Sequence, residues 1–354
     1  MPLQGYCRIV SNHLLYLVYG QNPTYHREAR LSVLSALAWR NADDDFSIHV
    51  MTDQPDVFAG WPVHVIALAS DTLAQWRGTH GYTHRIKACA IAAGARLGER
   101  TLFIDTDTLF KTSPSALFEA IAPGAFVVDE FEFDWQEARQ REEFSALARH
   151  AEEHGQTSAT SSLRLYNSGL CGLHRDDAGL MDEVIARIDH WSAQVKGLHT
   201  LEQVALSFSL DGLQVTEGRP HIVHYYAEKE FFHAMAASFF AHHGSTFSQA
   251  LVAASREFPR ERPRLSPLRR GLVKLRTATL PEALQRPARH LLYGYQMGGD
   301  RYQQSCAPVF WSKGIKALDK AELAITPQWP KGLPRPGRRH RASFEAFLQT
   351  LGGR

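Results

Sequence analysis

Over roughly the first two thirds of the chain, short apolar runs alternate with segments of helical periodicity. Residues 14–19 form an uninterrupted apolar run closed by Gly20-Gln21-Asn22-Pro23. That pattern predicts a buried strand and a turn. Residues 25–39 then place Ala29, Val33, Leu34 and Leu37 at helical spacing. Residues 46–51 and 63–68 read as the next two strands, separated by Asp53, Pro55, Gly60 and Pro62. An Ala-rich helix over 83–97 leads to a strand at 101–104, which runs directly into Asp105-Thr106-Asp107. Further on, the pattern predicts a short helix from Ser113-Pro114, a strand at 125–128, a polar helix to about residue 153 and then a Ser/Thr-rich loop. Residues 163–173 are apolar around Tyr166-Asn167-Ser168-Gly169, helices follow at 178–195 and 200–210, and strands at 213–216 and 222–223 end at His224. Strands that feed helices in this way predict an α/β fold with a mostly parallel central sheet.

Composition narrows the class. With 354 residues, 44% of them hydrophobic and 21% charged, the chain can bury a large core, which excludes disordered and collagen-like polymers. No apolar stretch of the length needed to span a bilayer is present, and the run at 14–19 lacks the flanks of a secretion signal. Cys7, Cys89, Cys171 and Cys306 are far apart without metal-ligand spacing, which favours reduced thiols and a cytoplasmic compartment.

The net charge of +2 conceals an asymmetry. Residues 1–255 hold 19 Lys+Arg against 30 Asp+Glu, whereas residues 256–354 hold 20 against 7. We therefore divide the chain into a main domain over 1–255 and a basic, Pro/Arg-rich, partly helical extension over 256–354. Pro259, Pro263, Pro267, Pro281 and Pro287 restrict that extension to short helices. One of them puts Leu268, Leu272 and Leu275 on a single face among Arg269, Arg270 and Lys274, a pattern suited to peripheral contact with an anionic membrane or to packing as a solvated extension. No nucleic-acid-binding module is recognisable.

The chemistry concentrates at Phe103-Ile104-Asp105-Thr106-Asp107. An apolar strand ending in two carboxylates puts hard oxygen ligands at the carboxyl edge of a parallel sheet, where open α/β folds bind their ligands. Such oxygens suit Mg²⁺ or Mn²⁺ with positions left open for phosphates.

With its flanking segments, this arrangement resembles the A-type-fold (GT-A) nucleotide-sugar glycosyltransferases, especially the retaining family that contains glycogenin and lipopolysaccharide galactosyltransferases. The resemblance covers about residues 12–230. It implies a Rossmann-like nucleotide-diphospho-sugar transferase fold and a transferase that moves a sugar from a UDP-sugar to an acceptor hydroxyl with retention. Asp105, Asp107 and His224 are then the ligands of Mn²⁺ or Mg²⁺. Tyr25 and Asp53 fall where the family receives the base. In His84-Arg85-Ile86-Lys87 a basic residue faces the sugar and phosphates, Arg85 before Lys87. Asn167 lines the sugar pocket, Glu202 binds sugar hydroxyls, Gln203 faces the anomeric carbon and Lys229 reaches the diphosphate. Glu202 stands where Asp is more usual, and Glu230-Phe231 replaces the usual Pro-Trp after the lysine.

The implied partners are a nucleotide-sugar donor and a carbohydrate, lipid-linked or protein acceptor, with a cell-envelope acceptor at the cytosolic membrane face as one setting. Two other readings remain open. Asp105-Thr106-Asp107-Thr108 also matches the nucleophile loop of haloacid-dehalogenase-like Mg²⁺-dependent phosphatases, with Asp105 as nucleophile. A catalytically silent nucleotide-sugar binder would carry the same residues. The acidic aromatic run 129–135 suits either the sugar or acceptor side or a surface loop.

Overall fold

The structure is a computed structural model, and it describes residues 12–154, 163–320, 329 and 332–352. The expected Ser/Thr loop and Cys7 lie outside the described residues. The chain divides into two compact units. One comprises the described residues up to Tyr225 together with Thr246–Glu257, the other Tyr226–Ser245 and the described residues from Phe258 onward.

The first unit runs β1 (Asn12–Leu17), α1 (Pro23–Ala38), β2 (Phe46–Thr52), β3 (His64–Ala67), α2 (Ser70–Arg77), α3 (Arg85–Gly94), β4 (Arg100–Ile104), β5 (Thr108–Phe110), α4 (Ser115–Glu119), β6 (Ala125–Val128) and β7 (Phe131–Asp134). It continues through α5 (Trp135–Ala138), α6 (Ser145–Glu153), β8 (Arg164–Tyr166), β9 (Leu170–His174), α7 (Gly179–Gln194), α8 (Leu201–Ser209), β10 (Gln214–Glu217) and β11 (Ile222–His224). As the alternation of patterns predicts, the unit is α/β. A seven-stranded sheet has the order β10-β6-β9-β4-β1-β2-β3, and only β9 runs antiparallel to its neighbours.

That single reversal positions the site. The carboxyl ends of β1, β2, β4 and β6 share one edge of the sheet, and the amino end of β9 joins them there. The pairing of Ile104 with Leu170 puts Asp105 opposite Gly169, and the Asp105 amide continues the ladder by donating to the Gly169 carbonyl at 2.8 Å. The central strands are buried on both faces, as parallel strands covered by helices must be: Leu14, Leu102, Ile104, Val127 and Leu173 have no exposed surface. The expected polar helix ending near residue 153 is instead broken, because Trp135 and Phe144 turn inward to pack edge to face and split it into α5, a 3₁₀ turn and α6.

The remaining helices are α9 (Lys229–His243), α10 (Gln249–Arg256), α11 (Pro267–Ala278), α12 (Glu282–Gln296), α13 (Arg301–Asp319) and α14 (Arg338–Gly352). Of these α10 belongs to the first unit, where Ser255 Oγ and Arg256 Nε donate to carbonyls of α1. The second unit is helical, but the expectation of short helices alone is overturned. The helix α12 spans 15 residues through Pro287, and α13 spans 19 through Pro308. An interior proline forfeits one helical hydrogen bond and crowds the preceding turn, at a cost of about 3 kcal/mol. Burial offsets it here, since Pro287, Ala288, Leu291 and Leu292 are buried on α12, as are Ala307, Phe310, Trp311 and Gly314 on α13. Among the described residues, no helix is long and apolar enough to cross a membrane.

Candidate active site

Asp105 and Asp107 occupy the turn that joins β4 to β5. The Thr108 hydroxyl donates to the Asp105 carbonyl at 2.7 Å, which holds the turn closed. Antiparallel pairing of β5 with β11 puts His224 opposite Thr108, and the Tyr225 amide donates to the Asp107 carbonyl at 3.0 Å. One ligand atom each from Asp105, Asp107 and His224 therefore lies within 4.8 Å of the other two.

The imidazole of His224 is 4% exposed and is held from both sides. Its Nδ1 donates to Asp129 Oδ2 at 2.6 Å, while Nε2 lies 3.4 Å from Asp107 Oδ1. A carboxylate on one ring nitrogen orients the other toward a ligand, the usual support of a metal-binding histidine. Asp129, at the end of β6, is fully buried and also receives Arg219 Nη1 at 3.3 Å from each carboxylate oxygen. Burial opposes a charge on the imidazole, yet the hydrogen bonds with Asp107 and Asp129 outweigh it and raise its pKa to about 9. Without a metal, an imidazolium thus supplies positive charge among the acids.

On the other side stands Lys87, whose ammonium is 3.0 Å from Asp105 Oδ2, 3.1 Å from Ser168 Oγ and 3.7 Å from Glu202 Oε1. Burial works against the lysine's charge, but Asp105 and Glu202 overcome it and raise its pKa. Glu202 is buried and accepts the Ser168 hydroxyl at 3.1 Å. Its desolvation pushes the carboxyl upward against the opposing pull of Lys87. Its backbone amide donates to the Tyr82 hydroxyl at 3.0 Å, so Tyr82 serves as the cap that α8 lacks from its own Thr200.

Glu132 of β7 gathers two amides. Asn167 Nδ2 donates to its Oε1 at 2.8 Å, and Gln203 Nε2 donates to its Oε2. Asn167 Oδ1 in turn accepts the Gly169 amide at 2.9 Å, which fixes the turn into β9. Asp105, Asp107, His224, Lys87, Asn167, Glu202 and Gln203 thus belong to one connected set at the sheet edge. The sequence reading did not single out Asp129, Glu132, Ser168, Tyr82 or Arg219. Asp129 and Glu132 lay inside the run 129–135, whose signal was an acid immediately after the apolar strand 125–128.

Arg85 takes a different place. Its guanidinium forks onto Asp189 of α7 at 2.6 and 2.9 Å and donates to the Trp76 carbonyl at 2.9 Å. Two residues apart on α3, Arg85 and Lys87 point to different sides, and it is Lys87 that meets the carboxylates. At the ends of β1 and β2, Asp53 Oδ1 accepts the Gly20 amide at 2.9 Å, and Tyr25, 44% exposed, stands in the first turn of α1. Burial raises the Tyr19 pKa against the opposing charge of Arg77, with Asp53 and Tyr25 also close enough to act on it. Lys229 opens α9 in the second unit.

The donor set fits a divalent cation. It joins two carboxylates to an imidazole. The carboxylates Asp105, Asp107, Asp129, Glu130, Glu132 and Glu202 outnumber Lys87 and Arg219 around these ligands, and a divalent ion would offset part of that excess.

No protein-family model matches the chain, and no curated protein matches it by sequence. A search of solved structures returns glycosyltransferases. One is mouse xyloside xylosyltransferase 1 in its apo form, at 15% identity over 56% of this chain and 80% of that one, with a TM-score of 0.37. Another is the galactosyltransferase LgtC in complex with donor and acceptor sugar analogs, at 12% identity over 58% and 74%, with a TM-score of 0.41. The bifunctional glycosyltransferase WbbM in its apo form aligns at 10% identity over 59% and 38%, with a TM-score of 0.37. Similarity at this level assigns no activity to the chain.

Proposed function

We propose that the protein is a metal-dependent glycosyltransferase that moves a sugar from a nucleotide-diphosphate donor, a UDP-sugar, to an acceptor hydroxyl with retention of configuration. The observation that carries this reading is the convergence of Asp105, Asp107 and His224 beside Lys87, with Asn167, Glu202 and Gln203 in the same hydrogen-bonded set. When bound by Asp105, Asp107 and His224, Mn²⁺ or Mg²⁺ supplies positive charge for a diphosphate leaving group. Lys87 adds a fixed ammonium for the charge that develops as the diphosphate departs. With its Nε2 committed to Glu132, Gln203 offers its carbonyl oxygen to the positive charge growing at the anomeric carbon. Asn167 and Glu202, held by Glu132 and Ser168, position sugar hydroxyls. Tyr25 and Asp53 serve the base. The leaving group departs as an anion, so the reaction needs no strong general acid. Arg85 is assigned instead to holding α3 against α7.

The acceptor is a carbohydrate, and we place it at an anionic membrane surface. Support comes from α11, where Leu268, Leu272 and Leu275 are 74%, 56% and 72% exposed on one face while Val273 and Thr277 are buried on the other. Arg269, Arg270, Lys274 and Arg276 share this helix. A helix that turns leucines outward among basic residues has the form of an interfacial anchor.

The test is nucleoside diphosphate release from a panel of nucleotide sugars by the full chain with Mn²⁺. Turnover of one donor that is lost with chelator and in Asp105→Asn supports the reading. Tight donor binding without turnover toward any acceptor points to a silent binder. Phosphate release from simple phosphomonoesters points to a phosphatase.

A further inference from the structure

The first unit holds a second cluster of metal-ligating side chains, formed by His150 on α6, His154 at its carboxyl end and His190 on α7. One ring nitrogen from each lies within 4.8 Å of the other two. His150 and His154 are four residues apart, which puts them on one face of the helix end, and His190 approaches from the neighbouring helix. His150 Nε2 and His190 Nε2 are 3.0 Å apart. Tetrahedral zinc with Zn–N bonds of about 2.0–2.1 Å sets its ligand nitrogens roughly 3.3 Å apart, so a small opening of this pair admits the ion.

The tautomer of the third ring favours the same conclusion. His154 Nδ1 lies 2.8 Å from the His150 carbonyl oxygen, which can only accept, so Nδ1 carries the proton. In the neutral ring Nε2 then keeps its lone pair. A ligating histidine characteristically donates its other ring nitrogen to a backbone carbonyl in this way. His150 is buried, so its ring is held in place by the packing around α6. Among the described residues, the donor set is three imidazoles. That chemistry selects borderline late divalent ions over Mg²⁺ or Ca²⁺, in contrast to the carboxylate-rich set at Asp105 and Asp107.

We propose that His150, His154 and His190 form a zinc-class site that ties the end of α6 to α7, with water as the fourth ligand. Its occupancy is independent of the Asp105–Asp107–His224 set and of the activity proposed above. The site acts on the fold by clamping α6 beyond the segment that carries Asp129 and Glu132.

The test uses the full chain dialysed against Zn²⁺ with Mn²⁺ in excess, followed by metal quantification and thermal melting. One tightly held zinc per chain is expected in the wild type and in Asp105→Asn. His154→Gln and His190→Gln replace exposed rings and leave the core intact; each is expected to weaken zinc binding at least tenfold and to remove the zinc-dependent rise in melting temperature. X-ray absorption of the zinc-loaded protein is expected to show nitrogen-rich coordination. Absence of retained zinc in the wild type, unchanged binding in both histidine variants, or loss of zinc in Asp105→Asn would each overturn the proposal.

Discussion

The ring of His224 rests directly on the α-carbon of Gly169. A β-carbon built at Gly169 would lie 2.1 Å from His224 Cε1 and 2.3 Å from Nδ1. The glycine of Asn167-Ser168-Gly169 is therefore required by the close approach of an imidazole. Held by Asp129 and 4% exposed, that ring has little room to retreat. Gly169→Ala is expected to weaken Mn²⁺ binding by at least tenfold, measured by calorimetric titration, while far-ultraviolet circular dichroism stays unchanged.

Lys87 and Arg85 are expected to fail in different ways. Lys87→Met removes positive charge from beside Asp105, so Mn²⁺ binding should be undiminished while donor turnover falls about 100-fold, the usual scale for loss of one stabilising group. Arg85→Gln should leave Mn²⁺ binding unchanged and lower the stability of the protein by about 1 kcal/mol in urea titration, discounted because Asp189 is 40% exposed. A large fall in turnover with Arg85→Gln and none with Lys87→Met would reverse these assignments.

The pH dependence follows from His224. Burial disfavours its charge, the hydrogen bonds with Asp107 and Asp129 prevail, and the folded pKa near 9 exceeds the usual 6.5. Its stabilisation of the metal-free protein is full below about pH 6.5 and is lost as the pH rises through 9. Melting temperatures from pH 6.5 to 10 should thus decline more steeply for the metal-free wild type than for His224→Gln. Mn²⁺ must displace the same proton, so its apparent affinity should rise by up to tenfold per pH unit across that interval, with proton release in weak buffer.

Exposed leucines on α11 give the membrane contact a direct test. The full chain is expected to float with vesicles rich in phosphatidylglycerol and to remain behind with phosphatidylcholine alone. Substituting Leu268, Leu272 and Leu275 by Gln should abolish flotation at unchanged melting temperature, since none of the three side chains is buried. Equal flotation of wild type and variant would remove α11 from the contact.

Much of the fold and part of the site were legible because they depend on short local patterns. The strand running into Asp105 and Asp107, the polar interruption at Asn167 and the histidine that ends β11 each carry a signal within a few residues. What escaped depends on geometry that no local pattern contains. Asp129 becomes a partner of His224 only because β6 pairs with the reversed β9, which brings the end of β6 to the same edge. Glu132 gains its role from two amides 35 and 71 positions away. Lys87 and Arg85 differ in helical phase, which the sequence shows but cannot orient without the sheet. The long helices α12 and α13 were hidden by their prolines, because the apolar packing that offsets Pro287 and Pro308 is tertiary.

The central claim is that Asp105, Asp107 and His224 hold a divalent ion for a diphosphate. Anomalous diffraction from crystals grown with Mn²⁺ and a nucleoside diphosphate tests it most directly. One manganese peak is expected within bonding distance of Asp105, Asp107 and His224 Nε2, with diphosphate oxygens completing its coordination beside Lys87. Diphosphate bound elsewhere, or a fully soaked crystal with no manganese between these three side chains, would contradict it.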